Sequence, residues 1–137
     1  MDKCFVIQPF DEKYNKRFND IYKPAINEAG FEAVRIDTDN SPKFIFEDII
    51  DGIKESKICF AEISENNPNV WFEVGYAFAC EKDVIMVCFE GAREQYPFDV
   101  RHMNIISYKN DSLSDFEKLK EDIINSIKNL NKRRIQK

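Results

Sequence analysis

Apolar positions recur along the chain in two rhythms, short continuous runs and longer stretches with a helical period. The first run, Cys4-Phe5-Val6-Ile7, ends at Gln8-Pro9 and reads as a buried strand entering a loop that continues through 11–16. Across 14–29 the residues Phe18, Ile21, Tyr22, Ala25, Ile26 and Ala29 fall at helical spacing, with Gly30 as a stop and Pro24 as a kink. A loosely alternating second strand over 31–36 runs into the turn-forming cluster 37–42. Ile45, Ile49, Ile50 and Ile53 mark a second helix, and 58–63 a third strand. Asn67-Pro68 then reads as an N-cap with proline at the first helical position, opening a helix that runs to about residue 80. The almost wholly apolar run 84–89 suits a strand covered on both faces. A loop over 90–102, a fifth strand at 104–108 and a final helix capped by Ser114, with Phe116, Leu119, Ile123, Ile127 and Leu130 as its stripe, complete the chain.

Strands alternating with helices imply right-handed crossovers and a parallel sheet between two helical layers. The expected fold is therefore α/β, a three-layer, flavodoxin/Rossmann-like sandwich with a five-stranded parallel sheet in the order 2-1-3-4-5. Ligands in such sheets bind beyond the carboxyl ends of the strands, at the switch point between strands 1 and 3. The loops 8–16 and 64–69 flank that crevice.

Length and composition narrow the reading further. With 137 residues, no internal repeat and no linker, the chain is expected to form one domain over 1–137. It is 43% hydrophobic and 33% charged with twelve Phe, an ordinary globular mix. A net charge of −5 weighs against polymeric nucleic acid or an anionic membrane as partner, although Lys132, Arg133, Arg134 and Lys137 make the end basic. Cys4, Cys59, Cys80 and Cys88 lie in apolar runs without metal-ligand spacing and read as reduced core residues of a cytoplasmic protein. Neither a signal peptide nor a membrane span is expected.

One carboxylate stands out against this background. Glu73 is the only charged residue of Val-Trp-Phe-Glu-Val-Gly-Tyr-Ala-Phe-Ala-Cys, 70–80. Burying an ionised carboxylate alone is costly, so Glu73 must be paired, protonated or facing a polar cleft. Arg35 and Arg101 are the candidate partners if its role is only structural. Just before it, Asn66, Asn67 and Asn69 bring three side-chain amides to a helix N-terminus. One is explained as a cap, while three together favour ligand binding.

The segments Phe5-Val6-Ile7-Gln8-Pro9-Phe10, Ala61-Glu62-Ile63-Ser64 and Asn66-Asn67-Pro68-Asn69-Val70-Trp71-Phe72-Glu73-Val74-Gly75-Tyr76-Ala77 together resemble the nucleoside 2-deoxyribosyltransferase-like family. Pro97-Phe98-Asp99-Val100-Arg101 fits the same pattern, so the resemblance covers roughly 4–108. It implies cleavage or transfer at the N-glycosidic bond of a nucleoside or nucleotide, with Glu73 as nucleophile or oxocarbenium stabiliser. It also implies a second acidic role for Glu62, orienting the sugar or handling a proton, unless that strand-end carboxylate points to solvent. Neither cofactor nor metal is implied; a homodimer or higher homo-oligomer is. Where relatives acting on free nucleosides often carry Asp six residues before the nucleophile, this chain has Asn67, and its first loop lacks glycine.

Gln8, Phe10 and Tyr14 are candidates to grip base or sugar, with Phe10 equally placed for the core, and Asn67 and Asn69 join them as substrate-binding candidates. Arg101 either neutralises a phosphate or pairs with Asp99, and His102 reads as a loop residue. Lys13, Lys16 and Arg17 could meet a phosphate, though such runs are usually solvated. Trp71 and Phe72 suit the core better than a stacking platform. Two other expectations compete with the leading one: a TIR-like effector hydrolysing or cyclising NAD, and a catalytically silent nucleotide sensor or interaction module.

Overall fold

The computed structural model describes residues 1–36, 45–92 and 104–136. Five strands, β1 (Lys3–Ile7), β2 (Glu32–Val34), β3 (Ile58–Glu62), β4 (Asp83–Phe89) and β5 (Asn104–Tyr108), form one sheet in the order β2-β1-β3-β4-β5. Every pairing is parallel, with Phe5 opposite Cys59, Cys59 opposite Val84 and Val87 opposite Ile106. This is the predicted α/β architecture and strand order.

The period-two alternation of strand side chains divides the interior into two cores. Cys4 and Val6 of β1, Phe60 of β3 and Ile85 and Val87 of β4 face one layer, built from the first helical stretch and α5 (Leu113–Gln136). Phe5 and Ile7, Cys59 and Ala61, and Val84, Met86 and Cys88 face the other, built from α3 (Ile45–Glu55) and α4 (Pro68–Ala79). All five residues of β3 are buried, so polar side chains at its end must find partners inside the protein. Cys4 and Cys59 are free and buried, and burial raises both thiols, Cys59 to about 12, which leaves them unreactive.

The first helical stretch departs from the prediction at its start. Residues 11–16 are not a loop: Asp11 caps α1 (Glu12–Arg17), its carboxylate accepting from the Lys13 N–H at 3.0 Å. A π-helical turn, Phe18–Tyr22, follows and leads into α2 (Lys23–Glu28), with the Lys23 N–H returning to the Phe18 carbonyl. The expected disturbance at Pro24 takes this form, because proline has no N–H to continue the α-helical ladder. At the far end Gly30 adopts φ +99°, the Gly30 N–H bonds Asn27 O at 3.1 Å and the Phe31 N–H bonds Ile26 O at 3.2 Å, a Schellman stop.

The cap of α5 is Ser112, not Ser114. The Asp115 N–H donates to Ser112 Oγ at 3.3 Å, and the Asp115 carboxylate accepts in return from the Ser112 N–H at 3.1 Å. This reciprocal box fixes the helix start two residues earlier than expected. On the other layer, Gly52 of α3 lies against β1, where a Cβ would stand 2.3 Å from Cε2 of Phe5. Among the described residues no helix is long and apolar enough to cross a membrane. The predicted turn cluster 37–42 and most of the loop 90–102 lie outside the described residues.

Candidate active site

Helix α4 begins where β3 ends, and its start is fixed by Asn67, whose Oδ1 accepts from the Asn69 N–H at 2.9 Å and the Val70 N–H at 3.2 Å. Pro68 occupies the first helical position, where no N–H is needed. Two of the helix's free N–H groups are thus consumed by the chain itself, and Asn69 is exposed. Asn67 is placed as a cap, leaving its side-chain oxygen engaged.

With that start, Val70, Glu73, Val74 and Ala77 share the face turned to the sheet. Glu73 is therefore buried, 7% exposed, by the same periodicity that buries its apolar neighbours. No hydrogen bond or ion pair reaches it from the described residues, and desolvation alone raises its pKa from 4.5 to about 7. Of the two structural partners considered, Arg35 is engaged elsewhere, its Nη1 donating to Asn15 Oδ1 at 2.6 Å and its guanidinium 4.4 Å from the Phe18 ring centroid. Arg101 lies outside the described residues.

Glu73 borders a narrow crevice beyond the end of β1, shared with Gln8, Phe10, Arg35, Ile36 and Ile49. Its volume is about 10 Å³, near the minimum for one water. Gln8 Nε2 donates to the Tyr14 carbonyl at 3.3 Å, while its buried Oε1 has no hydrogen-bond partner among the described residues. Phe10 is 53% exposed and lies at the surface of this crevice, outside the core.

The second acidic candidate is not brought to the first. Glu62 is fully buried and faces the other layer, accepting from Tyr22 Oη at 2.5 Å, Tyr108 Oη at 2.8 Å and the Ser64 N–H at 2.9 Å. The strand-end carboxylate thus points inward, away from solvent. Ser64 Oγ extends the network by accepting from the Phe89 N–H at 2.7 Å, and Arg17 Nη1 donates to Tyr108 Oη at 2.6 Å. Burial and then the Glu62 carboxylate push the phenols of Tyr22, Tyr108 and Tyr14 well above their ordinary values, so all three stay protonated.

Tyr14 is buried beside this second network, with the cations of Lys13 and Arg17 at 5.0 and 5.3 Å from its ring, and is linked to the Glu73 crevice through the bond from Gln8 to its carbonyl. Sequence reasoning missed Tyr22, Ser64 and Tyr108, whose apolar bodies fit the core pattern and whose hydroxyl roles have no period. Phe72, expected in the core, is 50% exposed and packs on Phe46 of α3 at 5.7 Å. Among the described residues no group of three His, Cys, Asp or Glu is placed to hold a metal ion.

No protein-family profile matches the chain, and no curated protein sequence matches it. Solved structures do. A CMP N-glycosidase of Clostridium botulinum, BcmB, superposes with a TM-score of 0.63 at 23% identity, over 86% of this chain and 98% of that one. The TIR domain of the Toll-related receptor TRR-2 from Hydra magnipapillata superposes with a TM-score of 0.63 at 15% identity, over 90% of this chain and 98% of that one. At these identities the likeness establishes architecture: the chain has the TIR-like α/β fold that this N-glycosidase also has.

Proposed function

We propose that the protein cleaves or transfers at the N-glycosidic bond of a nucleoside or nucleotide, with Glu73 facing the anomeric carbon. The observation that carries this reading is a buried carboxyl, without protein partner among the described residues, at the carboxyl edge of a parallel sheet and with a pKa of about 7. The bond between C1′ and the base nitrogen breaks with its electron pair leaving on the base. The ionised Glu73 stabilises the resulting oxocarbenium ion or bonds to C1′, and water or a second base then completes the substitution. Gln8, whose Oε1 lacks a partner among the described residues, suits a sugar hydroxyl. Phe10, half-exposed at the rim of this crevice, is placed to contact the base or sugar.

Glu62 has a different part in this reading. Its three hydrogen bonds hold the end of β3 and the turn at Ser64 that leads into α4, so it positions Glu73 without touching substrate. The TIR domain superposes as well as the N-glycosidase, which supports a second reading, NAD as the ribosyl donor and nicotinamide as the leaving base. Incubation with deoxynucleosides, nucleoside monophosphates and NAD, followed by chromatography for free base, separates the two. Glu73→Gln is expected to lower turnover by about 100-fold or more on the substrate that reacts; full turnover in that variant overturns the mechanism. If no base is released and one nucleotide raises the melting temperature, the site is a sensor. The reading includes a homodimer or higher homo-oligomer, tested by sedimentation at working concentration.

A further inference from the structure

Across the sheet from Glu73, the first helical stretch and α5 leave an open groove of about 490 Å³. Ile21 and Phe116 give it an apolar lining, with the exposed Leu113 at its edge. Lys13, Lys16, Arg17 and Lys120 line it with two acids, Asp20 and Glu117, and Lys120 also stands 3.9 Å from Glu28, so the cations gathered on the α1 side carry its positive charge on a chain of net charge −5. The volume lies in the range of roughly 300–1,000 Å³ typical of small-molecule sites.

Arg17 gives the groove its specificity. It is half-buried, its guanidinium standing 5.3, 5.5 and 5.9 Å from the ring centroids of Tyr14, Tyr108 and Phe116. Tyr108 Oη takes one N–H at 2.6 Å, and no carboxylate among the described residues forms an ion pair with the group. Three aromatic neighbours hold the orientation of the planar cation while its other donors remain for a ligand. Lys13, Lys16 and Arg17 fall at positions i, i+3 and i+4 of one helix, so their charges converge on one face. Lys13 also reaches Glu65 at 3.2 Å, an exposed pair that a stronger anion would displace.

We propose that this groove binds a phosphomonoester with a flat apolar body, the doubly charged head on Arg17, Lys13 and Lys16 and the body against Phe116 and Ile21. A guanidinium fork matches phosphate oxygens, and three converging cations suit a dianion better than a single carboxylate. The site is separate from Glu73, whose carboxyl belongs to the opposite layer.

Titration calorimetry with 1-naphthyl phosphate tests it, with inorganic phosphate, 1-naphthol and 1-naphthoate as the head-only, body-only and monoanion controls. Saturable one-site binding of 1-naphthyl phosphate, at least about tenfold tighter than any control, is expected, as is about tenfold weakening by Arg17→Gln. Because Arg17 also supports the Tyr108 network, the exposed double variant Lys13→Ala/Lys16→Ala is measured beside it and is expected to weaken binding by a similar factor. Glu73→Gln is expected to bind as the native protein does. Absence of saturable binding, equal binding of 1-naphthol or 1-naphthoate, or binding abolished by Glu73→Gln but untouched by the double lysine variant, overturns the assignment.

Discussion

Glu73 and Glu62 are two buried carboxyls on consecutive elements, one without a partner among the described residues and the other accepting three hydrogen bonds. Glu73 is buried without partner among the described residues, and its pKa of about 7 lies above its ordinary 4.5. As pH rises from 4.5 the unfolded chain gives up this proton first. The stability associated with protonated Glu73 is therefore present below about pH 4.5 and is lost as pH approaches 7, by at most roughly 3 kcal/mol. Urea unfolding at intervals from pH 5 to 8 is expected to show the native midpoint falling relative to Glu73→Gln, with the neutral variant more stable at pH 8. Parallel pH profiles for the two proteins would contradict the assignment. Glu62 accepts three hydrogen bonds, and Glu62→Gln is expected to cost about 2 kcal/mol. Unchanged stability in that variant would show that the tyrosine hydroxyls find other partners. Sequence made Glu73 conspicuous because its neighbours were apolar, whereas it placed Glu62 only at a strand end. Which layer that strand end faces follows from β3 register, and its tyrosine partners come from the π-turn and from β5.

Element boundaries followed local chemistry wherever that chemistry was written in adjacent residues. Asn67-Pro68 opened α4 as expected, and Gly30 closed α2 with φ +99°. Serines are more ambiguous, and α5 took Ser112 because Asp115 could answer it three residues later. The loop expected over 11–16 became helix because Asp11 caps it and Tyr14 is drawn into the interior. Gly52 had no visible signal, since a glycine inside a helical pattern only weakens the pattern. Its reason is packing against Phe5, itself 2% exposed and held in β1. Helix propensity favours Gly52→Ala by about 1 kcal/mol, while overpacking costs about 1–3 kcal/mol. A net loss of about 1 kcal/mol in denaturant unfolding is expected; a gain would mean that the Phe5 ring can retreat.

At the scale of the molecule, one sheet serves both cores, so loosening either layer exposes the other face of the same strands. The single tryptophan, Trp71, reports on the α3–α4 layer. Ile123→Ala, a cavity in the opposite layer, is expected to cost about 2–5 kcal/mol of stability and to lower the tryptophan-fluorescence and far-ultraviolet circular dichroism midpoints together. Midpoints that separate would show that the layers unfold independently.

The sequence by itself determined the alternation of strands and helices and the singular position of Glu73, because hydrophobic period and end-capping act between near neighbours, and crossover rules for parallel sheets then supplied the strand order. Only the tertiary structure decided that Glu73 lacks a partner among the described residues, that Glu62 turns to the opposite layer into a tyrosine network, and that Arg17 is held by three aromatic rings. Those facts depend on which side chains from distant segments meet across a sheet, and no local period encodes that.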